Sequence, residues 1–373
     1  MGMTRVAEPA SAATASDVGL HPLVGVVQRY ADEVLRPSAL QTDRHGIAPK
    51  RVAELAELGL LNHLAPEEFG GAAVDLASDR RIREILAGAC LNTWLLWVQH
   101  APLVQPLAKQ HADGTTLSDR ARDVVHGRLL VGAGLSDVRR YPDHYVAVER
   151  RTNEWVFSGT ISWVTGWGLN QALAVAGVEP LTETVVTALI PVSGDTVAAE
   201  LDLSAVGGSR TQRVTLNDVR VPDRDVISTE SVAHWRRQDL GMSSDAQSHH
   251  FGLAYAVLDE LDTEPDAQAR AVSAGWRPRI DAIRQQSYAL ADEVLARDDG
   301  RHRVDERLAA KVAIGDALAT LTRALVVARS GRGIRLDDTA QLHARSALFL
   351  LVQGQSAAVR TAQLEHLTPQ ENQ

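Results

Sequence analysis

The chain has 373 residues, a formal charge of −9 and one cysteine, Cys90. That length allows two or three domains, and the acidic balance, without a basic run, excludes a phosphate-neutralising nucleic-acid binder. A lone cysteine excludes an intrachain disulfide and a cysteine-based metal site, which fits a reducing, cytoplasmic setting.

Residues 1–19 are small and polar and lack the apolar run of a signal peptide, so they read as a disordered lead-in. No stretch reaches the roughly 18 to 20 apolar residues of a membrane span; the run at 348–352 is broken by Gln353 and Gly354. From 20 to 126 the spacing is helical. Leu23, Val26, Val27, Tyr30 and Val34 share a face closed by Pro37, and Val52, Leu55, Leu58 and Leu61 mark a second helix. Ala65 to Gly71 is a turn signal, and an apolar block with Trp94 and Trp97 follows. His100 behind it reads as a satisfied, partly buried histidine rather than a ligand contact.

Near Arg128 the period becomes strand-like. Short strands are expected over 129–134, 145–150, 155–165, 172–178, 185–191 and 212–216, a β-sandwich domain spanning 127–228. Its most distinctive stretch is 157–168, Phe-Ser-Gly-Thr-Ile-Ser-Trp-Val-Thr-Gly-Trp-Gly. Strand alternation places Ile161, Trp163 and Thr165 on one face, two apolar groups and a hydroxyl suited to a flat ring with a polar edge; an ordinary strand with a buried tryptophan is the bland alternative. Helical spacing returns over 229–366, where Phe251 to Leu261, Ile280 to Val294, Leu308 to Leu325 and a last helix running through Val359 form an antiparallel four-helix bundle. Residues 367–373 read as a tail.

This order of domains resembles the acyl-CoA dehydrogenase family, and three motifs agree. Asp43 to Gly46, Glu57 to Leu60, Pro66 to Gly71 and Asp75 resemble its N-terminal signature. Gly159-x-x-x-Trp163-Val164-Thr165 resembles the strand on which family members lay the FAD isoalloxazine, and Leu216 to Pro222 resembles the sandwich exit. The resemblance implies an α+β fold with helical domain, β-sandwich and bundle in that order, and noncovalent FAD. Trp163 would pack on the flavin, Val164 would stand beside it and Thr165 would bond its polar edge. Leu135 and Ser136 in Gly132 to Asp137 stand where the family carries a Thr-Glu pair, with Ser136 replacing the threonine hydroxyl.

The implied reaction is α,β-dehydrogenation of an acyl-CoA or acyl-carrier thioester, with the hydride passing to flavin N5. It requires a carboxylate to take the α-proton. The family places that glutamate in a loop after the penultimate bundle helix or on the first bundle helix; the Gly-Gly-x-Gly loop and glutamate segment of the former are lacking, and the latter position falls at about Met242. Asp245 is the nearby acid, as a base or as a helix cap. The family's FAD-gripping Arg-x-x-Phe-Gly appears as Ser273 to Arg277, leaving Arg277 or Arg279 for a pyrophosphate or for solvent. A homodimer or homotetramer is implied. The missing glutamate leaves two other readings open: a flavin monooxygenase or oxidase, and a non-catalytic subunit beside a glutamate-bearing homologue.

Overall fold

A computed structural model describes residues 19–369. The lead-in over 1–18 and the end of the tail, 370–373, lie outside the described residues. The first helix is longer than expected. Helix α1 (Leu23–Tyr30) passes through a π-turn (Ala31–Leu35) into α2 (Arg36–His45), with Val24, Val27, Ala31, Leu35 and Ala39 buried along one face. Pro37 does not close it: the proline sits in the first turn of α2, where its missing N–H is least costly, and the π-turn carries the chain past it. Helices α3 (Pro49–Glu57), α4 (Leu76–Ala89), α5 (Leu91–Ala112) and α6 (Asp119–Val125) complete this part. Asp75 of the signature caps α4, its carboxylate accepting from Ser78 N at 2.9 Å.

Eight strands follow: β1 (Val131–Gly134), β2 (Ala147–Arg150), β3 (Glu154–Val164), β4 (Ala172–Glu179), β5 (Thr184–Pro191), β6 (Thr196–Glu200), β7 (Gln212–Pro222) and β8 (Val226–Ser231). They join in one mixed sheet, ordered β6-β7-β3-β2-β4-β5-β8, with β1 parallel to β4. Phe157, Ile161, Val214 and Leu216 of β3 and β7 share one apolar cluster with Leu173, Val175, Val186 and Ile190 of β4 and β5. The two layers of the expected sandwich are therefore halves of a single sheet bridged by β2. Strands β6 and β8 were not foreseen, and β8 carries the sheet to Ser231, past the expected boundary at 228, through its antiparallel pairing with β5.

The remaining helices are α7 (Val232–Ser243), α8 (Ser248–Thr263), α9 (Ala267–Arg297), α10 (Val304–Arg329), α11 (Thr339–Val352) and α12 (Ala357–Leu367). The last helix is thus two. Gln353 is extended at φ −67°, ψ 122°, Gly354 takes φ +65°, and Ser356 caps a fresh start at α12. The α8 backbone touches that of α4: a Cβ on Gly252 would stand 2.1 Å from Glu84 O, and one on Gly88 2.5 Å from Gly252 O. Trp94, Leu86, Phe251, Ile280, Leu318 and Leu350 belong to one core cluster, so the first and last helical parts share their interior.

Candidate active site

Strand β3 carries the residues singled out for a cofactor, and a bulge rearranges them. Ile161 faces Val214 and Val164 faces Gln212, with a register shift between. An inserted residue reverses the alternation beyond it. Ile161 and Val164 are both buried, Trp163 is turned outward and 45% exposed, and Thr165 lies beyond the strand in a turn, 6% exposed. The expectation that Ile161, Trp163 and Thr165 share a face is corrected on this ground. Val164 is a core residue. Thr165 Oγ1 lies 3.0 Å from Thr211 Oγ1, which lies 2.7 Å from Ser209 Oγ, leaving the Thr165 hydroxyl capacity for one more partner.

Leu135 and Ser136 stand at the start of a turn that is tied to the same strand. Ser136 opens a 3-10 turn (Ser136–Arg140) and is exposed, and the next residue, Asp137, accepts from Ser162 N at 2.8 Å. Asp137 is 3% exposed and also pairs with Arg140. Between the two segments, a Cβ on Gly134 would meet Ile161 Cγ2 at 2.7 Å, so the absence of a side chain there makes room for the buried Ile161. The open indole of Trp163 offers a stacking face of the kind a flat ring needs, and the exposed Ser136 hydroxyl lies on the segment that Asp137 ties to that strand, whereas Thr165 is buried.

The 136–140 turn is tied to the helices. Arg139 forms a bidentate pair with Asp239 of α7, at 2.8 and 2.7 Å, and its Nη1 reaches Gln355 O at 3.5 Å. Ser243 Oγ donates to Ser356 Oγ at 3.1 Å. Residues 353–356 therefore close over the seam between sheet and helices. This is the loop after the penultimate helix, the place where the resemblance puts the base, and it holds Gln353. Sequence reading passed over it because Gln353 and Gly354 looked like breakers of an apolar run; the signal was a Gln-Gly pair followed by a serine cap.

Behind Gln353 lies His249, in the first turn of α8. Its ring stacks on Trp94, from the first turn of α5, at a centroid distance of 4.3 Å and a 39° tilt, and on His250 at 4.2 Å. Both partners of the first pair are buried, and neither His249 Nε2 nor Trp94 Nε1 has a hydrogen-bond partner. Burial pushes the His249 imidazole well below its usual range; His250, Lys311 and Arg83 act in the same direction, and the Gln353 side chain opposes them. His250 is held neutral by burial, its pKa lowered to about 3. Lys311 Nζ donates to Ser243 O at 2.7 Å, and burial lowers its pKa to about 8.

Asp245 is bound to structure. Its carboxylate accepts from the fully buried Arg307 at 2.6 Å, while the Arg307 guanidinium also reaches Gly300 O and Gly241 O. Removing either partner leaves a buried charge unpaired, so Asp245 is described best as the anion of a fixed pair. His100 is satisfied as expected: Nε2–H donates to Leu61 O at 2.6 Å and Nδ1 accepts from Val131 N at 3.3 Å. Arg277 pairs with Asp259 and Asp262 at the surface, and Arg279 lies over Trp276. A separate open groove of about 720 Å³ runs along the second half of α5, past Pro102, Gln105 and Pro106, and touches neither Trp163 nor Ser136.

Residues 21–113 match the family model for the acyl-CoA dehydrogenase N-terminal domain. The human mitochondrial short-chain specific acyl-CoA dehydrogenase is 23% identical over 375 residues, covering 92% of this chain and 89% of that protein. The N-terminal part thus matches that domain family, and the chain as a whole is similar to acyl-CoA dehydrogenases. Among solved structures, butyryl-CoA dehydrogenase from Megasphaera elsdenii superposes with a TM-score of 0.75 at 16% identity, covering 92% of this chain and 97% of the other. The prolyl acyl carrier protein oxidase AnaB gives 0.76 at 11%, covering 96% and 100%. Both share the fold. These likenesses support an acyl-CoA dehydrogenase-like flavoprotein oxidoreductase. Among the described residues no helix is long and apolar enough to cross a membrane, and no cluster of histidine, cysteine and carboxylates suits a metal.

Proposed function

We propose that the chain binds FAD on the Trp163 ledge and desaturates an acyl thioester, an acyl-CoA or acyl-carrier conjugate, between its α and β carbons. The observation that carries this reading is the open indole of Trp163 on a strand that Asp137, the residue after Ser136, ties to its own turn through Ser162 N. Trp163 offers a stacking face, Ser136 and Thr165 offer hydroxyls to the ring edge, and the 353–356 loop shields the seam from water. When bound, FAD supplies the hydride acceptor. Exposed apolar side chains on the helical part, among them Val327, Ile334, Leu348 and Leu364, support assembly into a homodimer or homotetramer.

One observation favours a second reading. Gln353 cannot take a proton, and a flavin oxidase or monooxygenase does not need an α-proton base. Anaerobic titration of the FAD-loaded protein with acyl-CoA and acyl-carrier thioesters separates the two. Bleaching of the visible flavin bands by a thioester supports desaturation. Bleaching only by an added reductant, with an oxygen-dependent return of colour through a distinct spectrum, overturns it in favour of the oxygen-using reading.

A further inference from the structure

The seam holds a pair of groups without partners. His249 Nε2 and Trp94 Nε1 are both buried and both unbonded, and they belong to rings stacked at 4.3 Å. Leaving two such atoms dry is unfavourable, because each has given up its water without gaining a partner. They sit at the first turns of α8 and α5, immediately behind Gln353, in the loop where a carboxylate base was expected. The α5 helix also reaches the cofactor wall: a Cβ on Gly166, next to Thr165, would stand 2.3 Å from Leu96 Cδ1, two residues beyond Trp94.

We infer that His249 takes the place of the absent carboxylate as proton acceptor, with the Trp94 indole N–H as donor to the substrate oxygen. The inference rests on the acyl-thioester reading above. In the step, the Cα–H bond breaks, the proton passes to His249 Nε2, and the electron pair moves into the thioester carbonyl to give an enolate whose oxygen accepts from Trp94 Nε1–H. No oxidant is consumed. The groups acting on His249 are His250 on its own helix, Lys311 from α10, Arg83 from α4 and Gln353; burial and the cationic neighbours leave the imidazole unprotonated with a free lone pair and weaken it as a base, so the proton it takes must pass on quickly, and Gln353 alone favours the protonated form.

The test uses the FAD-loaded protein and 3-thiabutanoyl-, 3-thiaoctanoyl- and 3-thiadodecanoyl-CoA, whose β-sulfur blocks desaturation. Binding is read from the shift of the flavin bands, and deuterium uptake at C2 in heavy water is read by proton NMR. Wild type is expected to bind at least one probe and exchange its α-protons, and that probe is expected to move the His249 Nε2 resonance in 15N-histidine-labelled protein. His249→Gln is expected to bind within threefold of wild type and exchange at least 100-fold more slowly, and adding Gln353→Glu is expected to restore exchange. If the glutamine variant does not fold, His249→Asn replaces it. A wild type that binds a probe without exchange, or a His249 variant that exchanges at the wild-type rate, overturns the inference while leaving the thioester reading intact. Failure of every probe to bind overturns that reading and the inference with it.

Discussion

Trp163 and Thr165 lie two residues apart, yet they meet a ligand differently. Trp163 holds little of the core in place, so Trp163→Ala is expected to leave the melting temperature within a degree or two while weakening FAD binding about tenfold. That figure corresponds to the roughly 0.5–1.5 kcal/mol of an aromatic pair, and fluorescence quenching on titration of apo-protein with FAD measures it. Thr165→Val is the opposite case: it removes the Oγ1 bonded to Thr211, so it is expected to lower stability by about 1 kcal/mol in urea denaturation. His100 behaves as a titrating clamp. Its neutral form donates to Leu61 O and accepts from Val131 N, and protonation abolishes the second bond.

At the scale of elements, the closest approach in the helical part is between α4 and α8. Gly252→Ala adds up to about 1 kcal/mol of helix propensity. It also drives a Cβ to 2.1 Å from Glu84 O, which is backbone and cannot turn aside. Overpacking costs about 1–3 kcal/mol, so the clash outweighs the propensity, and a lowered thermal midpoint is expected in calorimetry. The same scale explains what was legible in the sequence. Strands β3, β4 and β5 were visible because Phe157, Leu173 and Val186 sit in period-two or continuous apolar runs bounded by turn residues. The bulge between Ile161 and Val164 was not, because it is set by pairing with β7, about fifty residues away. The π-turn before Pro37 was hidden for a like reason: proline at that point carries a helix-stopping signal unless the preceding turn widens. Gln353 was missed because its meaning comes from the loop it occupies and from His249, a hundred residues upstream, which gives it a neighbour. Motifs therefore disclosed the family likeness, and folding alone disclosed the bulge, the π-turn and the 353–356 loop.

For the whole molecule, buried histidines set the response to acid. His100 and His250 have pKa values lowered to about 4 and about 3, below the usual 6.5, so the unfolded chain binds protons that the folded chain refuses. Stability is therefore fully present above pH 6.5 and falls as pH drops through the window down to those values. At pH 5 each is expected to have forfeited about 2 kcal/mol. Glu260, lowered to about 2 by His343, Thr339 and Arg329 against the opposing and largest effect of its burial, adds its own loss only below pH 4.5. Urea denaturation at pH 7, 6 and 5 is expected to show the midpoint falling at each step, and His100→Gln is expected to flatten the slope.

The shared interior of the early and late helices has a topological consequence. Val27 and Leu350 belong to the same cluster, while Phe157, Ile161, Val175 and Val214 of the strands lie in a separate one and only Val131, Ala174 and Leu189 pack with α5 and α6. The β module is thus a guest spliced into a helical host whose beginning needs its end. Ribosomal synthesis delivers the sheet before the late helices exist, so the early helices wait, half covered, until the final third of the polypeptide arrives to finish their packing.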